Sequence, residues 1–236
     1  LNTMINIDGD VYWLGRRNLF IYNGVVKELV CPVQYYVFDR MQTNFIDKVV
    51  VGHNKKFKEI TWFYVSNDNS AGTINPEPDS YVTYNYVENA WSIGTMDRTV
   101  WSDSFGARDV PFAFDENGLL YNHETGTSDN GSAMSSYIES SPREITQNGE
   151  NLFMVDRVIP DVTMTSDTNL YFNLNSRKYP NATEVVKGPF TITSTTQKVS
   201  TRAKGRQIAM KIYSTGTTDE WSIGDFRINA REDGLR

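Results

Sequence analysis

The 236-residue sequence holds a single cysteine, Cys31, so no intrachain disulfide can staple it. Cys31 lies in the apolar stretch from Leu29 to Val33 and reads as a small buried hydrophobe rather than a catalytic thiol. A chain assembled in a reducing cytoplasm fits that usage. Histidine is nearly as scarce: His53 sits in the turn-like Gly52-His53-Asn54-Lys55-Lys56, and His123 precedes Glu124. Neither has a partner at ligand spacing, so both read as turn or edge residues and no metal site is expected. No run of about eighteen apolar residues occurs, which leaves no candidate membrane helix in these residues. The sequence also lacks a Gly-x-Ser-x-Gly elbow, a phosphate loop, a dinucleotide fingerprint, an HExxH helix and the Ser-x-Asp-x-Gly-x-x-Trp box of sialidase blades. Catalytic, cofactor-binding and metal-binding residues are therefore all assigned as none, and no enzymatic activity is expected.

Helical periodicity is also sparse. One segment, Val33 to Phe45, places Val37, Met41 and Phe45 on one face, with Pro32 suited to its start. It is expected to be a short connector between sheets.

Aromatic residues, by contrast, make up 13% of the chain and are arranged as a repeat. An aromatic strand at Tyr12-Trp13 recurs at Trp62-Phe63 and at Phe112-Ala113-Phe114, about fifty residues apart. Each leads through a polar turn into a second strand bearing a Tyr-Asn pair: Tyr22-Asn23, Tyr84-Asn85 and Tyr121-Asn122. The middle unit is the most complete, with strands expected at Val49–Val51, Glu59–Val65, Ser80–Tyr86 and Ala90–Ile93. Four antiparallel strands per period of this length make a β-propeller blade. Residues 1–130 are expected to hold about three blades. A propeller needs about four or more, so further blades are expected from a longer chain, of which this is the C-terminal portion, or from other copies.

The long Ser66–Asp79 loop is rich in Asn and Pro and is expected to form neither strand nor helix. The stretch Gly126 to Ser132 reads as a linker. Beyond it the aromatic repeat fades into more aliphatic, alternating strands at Ser136–Glu139, Leu152–Ile159, Asn169–Asn175, Phe190–Ser194, Gln207–Tyr213 and Trp221–Asn229. Alternation means one packed and one wet face. Residues 131–236 are expected to form a C-terminal β-sandwich, with further degenerate blades as the alternative.

Charge is uneven. The net charge is −6, but residues 1–130 carry ten Lys/Arg against seventeen Asp/Glu, a net of −7, and the rest is near +1. This disfavours a protein that grips nucleic acid through its phosphates. Propellers also host glycosidases, which work through paired carboxylates. Asp115 and Glu116 are explained by the hairpin turn with Asn117-Gly118, and Asp156 and Asp161 by a turn or a buried ion pair with Arg157. Trp-Ser-Ile-Gly occurs twice, Trp91–Gly94 and Trp221–Gly224, each followed shortly by an arginine, Arg98 or Arg227. Each Trp is expected to pack into a core where its strand begins, with Gly bending or ending it.

Taken in order, Trp91-Ser92-Ile93-Gly94, Ile138-Glu139-Ser140, Arg157-Val158-Ile159-Pro160-Asp161, Gly188-Pro189-Phe190, Arg202-Ala203-Lys204-Gly205-Arg206-Gln207 and the ending Trp221 to Arg227 with Asp233-Gly234-Leu235-Arg236 resemble the C-terminal third of tail tubular (nozzle) proteins of short-tailed, podovirus-like bacteriophages. The resemblance implies a virion structural protein: a propeller-bearing subunit of a homo-oligomeric, sixfold ring below the portal and tail adaptor, around the channel for genome ejection. It implies transient passage of DNA without specific binding, assembly in the bacterial host cytoplasm, and no catalytic residue. Two readings from other classes stay open: a carbohydrate-binding or glycan-cleaving propeller, and a generic propeller interaction scaffold.

Overall fold

The computed structural model describes residues 2–70, 76–145 and 151–234. The chain is all-β, in two compact units, Leu1–Thr125 and Gly126–Arg236. No closed propeller occurs among the described residues.

The first unit is three antiparallel meanders in chain order. The first sheet is β1(Met4–Ile7), β2(Asp10–Leu14), β3(Leu19–Tyr22) and β4(Val26–Leu29). The second is β5(Val50–Asn54), β6(Glu59–Tyr64), β7(Ser80–Asn85) and β8(Ala90–Thr95). The third has three short strands, β9(Val100–Ser102), β10(Phe112–Phe114) and β11(Leu120–Asn122). Local chemistry sets the turns. Asp8-Gly9 takes positive φ at both residues, the two-residue turn whose twist suits a hairpin.

Tyr12, Trp62 and Phe112 all fall on the second strand of their sheet, and the tyrosines of the Tyr-Asn pairs on the third, with Asn23 just past its end. The register is more specific than the sequence spacing. Tyr22, Tyr84 and Tyr121 stand opposite Val11, Ile60 and Ala113. The true counterpart of Trp62 is therefore Trp13, and Tyr12 matches Thr61.

The sheets pack face on face. Ile7, Tyr12, Leu14, Leu19 and Leu29 of the first bury against Ile60, Trp62, Tyr64, Val82 and Tyr84 of the second. Trp62, fully buried, also donates its indole N–H to the Thr3 carbonyl at 2.8 Å. The opposite face of the second sheet receives Trp101 of the third, which stacks on Phe63 with ring centroids 5.7 Å apart. Gly52 makes that approach possible, because a Cβ there would sit 2.6 Å from the Trp101 ring.

The expected helix is shorter than Val33 to Phe45. Helix α1 spans Gln34–Arg40, Met41 is extended and bridges to Ser66, and a separate 3-10 segment covers Thr43–Lys48. Val37 and Met41 are buried, so the apolar stripe is used, but the bridge to Ser66 pulls the backbone out of the helix. Within the Ser66–Asp79 loop one turn of helix, α2(Asn67–Ser70), replaces the irregular chain expected there. Asp79 anchors the loop base by accepting from the Ser66 amide and hydroxyl. Residues 71–75 of that loop lie outside the described residues.

In the second unit the expected linker contains a hairpin. β12(Ser128–Asp129) pairs with β13(Ser132–Ala133) across Asn130-Gly131, both at positive φ. Asn-Gly between two short strands is itself a strong hairpin signal. A five-stranded sheet follows: β14(Ser136–Glu139), β21(Gln207–Ser214), β18(Leu170–Arg177) and β19(Val185–Ile192) in that order, with β15(Arg143–Glu144) also on β21. Opposite it stand β20(Val199–Gly205), β16(Phe153–Ile159) and β23(Arg227–Glu232), while β17(Val162–Met164) pairs β22(Trp221–Ile223). Phe153, Val155, Val158 and Ala203 from one sheet share a core with Leu170, Phe172, Leu174 and Ile212 from the other. This is a β-sandwich.

Candidate functional site

Titratable groups in the first unit gather where the second and third sheets meet. Of the expected turn or edge placements His53 takes the edge, on strand β5 next to Gly52, which lies against Trp101. The Trp101 indole N–H donates to the His53 carbonyl at 3.1 Å. The imidazole Nε2 is 3.2 Å from the Tyr86 hydroxyl, and Nδ1 is 3.6 Å from Asp103 Oδ2. Lys55 Nζ is 3.8 Å from the same oxygen. That oxygen is buried without a hydrogen-bond partner, while Asp103 Oδ1 accepts from the Ser104 amide at 2.7 Å.

Tyr86, His53 and Asp103 thus line up as a relay would, but their acidities run the wrong way for one. Burial holds the His53 imidazole below its ordinary pKa, against the pull of Asp103. Burial, then Asp8 and Asp103, push the Tyr86 hydroxyl up. A weakened base facing a more tightly held proton does not make an activated nucleophile.

His123 lies on the other side of Trp101, ring centroids 4.6 Å apart. Its Nε2 accepts from the Arg98 Nε–H at 3.0 Å. Arg98 is only 6% exposed, and its guanidinium lies 4.5 Å from the centre of the Tyr121 ring. Such a buried cation is favourable only when its donors are used. Arg98 therefore pins the third sheet's Tyr121 to the end of the second. The sequence showed an arginine after Trp-Ser-Ile-Gly but not this role.

The expected carboxylates are accounted for structurally. Burial alone would raise Asp115, but the amides of Leu119 and Asn117 and the Tyr121 hydroxyl donate to it and hold it below the usual range. Glu116 is exposed in the same turn. Asp156 and Arg157 do not pair: Asp156 accepts from Asn229 at 2.8 Å, and Arg157 is exposed on the wet face of β16. Asp161 packs on Gly224, whose amide donates to the Asp161 carbonyl at 2.8 Å.

One carboxylate pair escaped sequence reasoning because its members are far apart in the chain. Glu59 is raised by burial and by Glu124, and Glu124 by burial, opposed by Lys56 and by a 2.8 Å hydrogen bond from Asn54. Both move in the same direction. Acid–base catalysis instead needs environments that push two pKa values apart.

The two Trp-Ser-Ile-Gly copies are packing devices. Trp91 lies 4.5 Å from the Tyr84 ring centroid and donates to the Val30 carbonyl, while Trp221 donates to Ser214. A side chain at Gly94 would collide with the Tyr81 ring, and one at Gly224 with the Asp161 carboxylate. Cys31 is buried, and burial pushes its thiol up, away from reactivity.

In the second unit an open groove of about 380 Å³ runs between edge strands β19 and β20, lined by Lys187, Phe190, Ser200, Thr201 and Arg202. Lys187 stands opposite Leu174 on edge strand β19 and is exposed; a lysine on an edge strand guards that edge against pairing. Among the described residues, no three His, Cys, Asp or Glu side chains gather as a metal site would require.

No protein-family model matches the chain, and no curated protein matches it. A solved structure described as a glycoside hydrolase is similar with a TM-score of 0.25 and 11% identity, covering 96% of this chain and 69% of that one. A likeness that loose carries no argument about fold or function. The geometry points instead to joints: aromatic rings, a buried arginine and fitted glycines lock successive sheets together.

Proposed function

We propose that the chain is a structural subunit of a short-tailed phage tail, a nozzle or tube protein contributing to the channel through which the genome leaves. The observation that supports it best is the stack of meander sheets joined through aromatic faces, followed by a sandwich, in which Arg98 and His123 serve a sheet joint and Asp115 a turn. That economy suits a permanent assembly subunit. The sequence resemblance supplies the specific assembly.

On this reading the copies form a closed ring through heterologous contacts, in which different patches meet head to tail. The ring adjoins the tail adaptor and other tail proteins. Duplex DNA passes without specific binding, consistent with the net −7 of residues 1–130, because each phosphate contact would have to be broken during ejection. No helix among the described residues is long and apolar enough to cross a membrane.

Electron microscopy of the purified protein tests the proposal. A ring with an open central channel is the expected result. Particles without a channel, together with glycan binding or hydrolysis that is lost on Asp156→Asn or Asp161→Asn, would replace it with the carbohydrate reading.

A further inference from the structure

The three sheets of the first unit are stacked in one sense. The face of the second sheet that carries Tyr84, Trp62 and Val82 is covered by the first sheet. The face of the third that carries Tyr121 and Ala113 meets the second through Trp101. By register, the counterpart on the first sheet is its outer face, with Met4, Val11, Trp13, Phe20, Tyr22 and Val26 in facing pairs. This face is built like the covered ones: Trp13 and Phe20 stack at 5.3 Å. Nothing among the described residues of the first unit covers it. Tyr22 is 44% exposed where its counterpart Tyr84 is 6% exposed, and Met4 and Val26 are 60% and 58% exposed.

The far end of the stack is the complement. The outer face of the third sheet carries Val100, Phe112, Phe114 and Leu120, with Val100 52% and Leu120 42% exposed. By register this face corresponds to the one that the second sheet turns toward Trp101. Phe105 and Arg108 lie over Phe112 but leave Val100 and Leu120 open. One chain therefore offers both halves of a joint that it already makes twice internally. Apolar sheet faces of this kind are seldom left in water.

We infer that the outer face of the first sheet docks a second copy of this chain, through the outer face of that copy's third sheet. The contact repeats the internal sheet-on-sheet joint between molecules. It is heterologous, so it propagates from copy to copy until the rotation closes. The inference deepens the ring-forming reading by naming the contact, and rests on that reading only for closure.

The test uses two single variants of the full chain: Val26→Lys on the first sheet and Leu120→Lys on the third. Both positions are exposed, so the fold is expected to survive, checked by unchanged circular dichroism and melting temperature. Tyr22→Lys repeats the first variant at a second position on the same face. A single four-stranded face lies at the small end of specific interfaces, below about 1,200 Å², so sedimentation is followed up to about 100 µM.

Wild type should form species larger than a monomer, and each variant alone should be monomeric. An equimolar mixture of Val26→Lys and Leu120→Lys should give dimers and nothing larger, because each copy retains the half that the other lacks. A monomeric wild type, a variant that assembles like wild type, or a mixture that stays monomeric would each overturn the inference. A channel-bearing ring that persists with Val26→Lys would remove this contact and leave the tail reading standing. Head-to-tail dimers in the mixture with no channel in the wild-type particles would do the reverse.

Discussion

Gly52 and Trp101 offer the sharpest test of how the sheets are joined. A Cβ on residue 52 would lie 2.6 to 2.8 Å from three atoms of the Trp101 ring, inside any real carbon–carbon contact. Gly52→Ala must therefore displace the indole, which stacks on Phe63 and donates to the His53 carbonyl. Overpacking of this kind costs about 1–3 kcal/mol. Trp101→Ala alone loses a large but only half-buried side chain, so about 2–3 kcal/mol is expected, short of the range for a fully buried Trp.

In the Trp101→Ala background the collision is gone, and Gly→Ala in a strand interior then gains about 0.5–1 kcal/mol through the unfolded chain. The two changes should therefore couple favourably by about 1.5–4 kcal/mol, far above the few tenths seen for independent sites. Scanning calorimetry of the full chain measures this, with the second unit's transition as an internal reference. Equal destabilisation by Gly52→Ala in both backgrounds would refute the account, and with it the claim that this glycine exists to seat the third sheet.

Other consequences follow from the same geometry. His53 has a folded pKa below its ordinary 6.5 through burial, so between those two values the unfolded chain binds a proton that the native one does not. Stability should fall as pH drops through that window, and His53→Gln should flatten the slope of melting temperature between pH 7 and 5. Glu59 is shifted upward by burial, so its ionisation disfavours the fold as pH rises: Glu59→Gln should raise the melting temperature at pH 7 and change it little near pH 4. Gly224→Ala meets only the end of the exposed Asp161 side chain, which can swing aside, so it should cost the second unit no more than about 0.5 kcal/mol in calorimetry, in contrast to Gly52→Ala. Assembled protein should fail to retain duplex DNA on a filter at moderate salt; tight retention that weakens steeply with salt would mean a cation-lined path and would sink the free-passage mechanism.

Much of the fold was legible because strand and turn signals are local. The second sheet's four strands were anticipated to within a few residues at each end, since runs such as Ile60-Thr61-Trp62-Phe63-Tyr64 are β-branched or aromatic and end at polar turns. The aromatic repeat placed its three strands in equivalent positions. Where the signal was weak, expectation failed. β20 was not anticipated, because its buried residues include Ala203 and Gly205, which carry almost no hydrophobic signal. The hairpin at Asn130-Gly131 was hidden in a stretch whose Ser, Thr and Gly also describe a linker. Helix α1 stopped early because Met41 forms an isolated bridge to Ser66, well along the chain.

The sequence by itself determined an all-β chain, the repeat of meander units, the change of character after the stretch Gly126 to Ser132 and the scarcity of reactive side chains, because each of these is written in residue types and short-range periods. Only the tertiary structure decided which face of each sheet is covered. Tyr22 and Tyr84 head identical Tyr-Asn pairs, yet one is solvent-exposed and the other buried, since a sheet lies over Tyr84 and none of the described residues of the first unit over Tyr22. The same holds for Glu59 and Glu124, for Arg98 on Tyr121, and for Gly52 beneath Trp101. Period-two alternation tells a strand that it has two faces. What each face meets depends on chain folded back from dozens of residues away, and no local pattern encodes that.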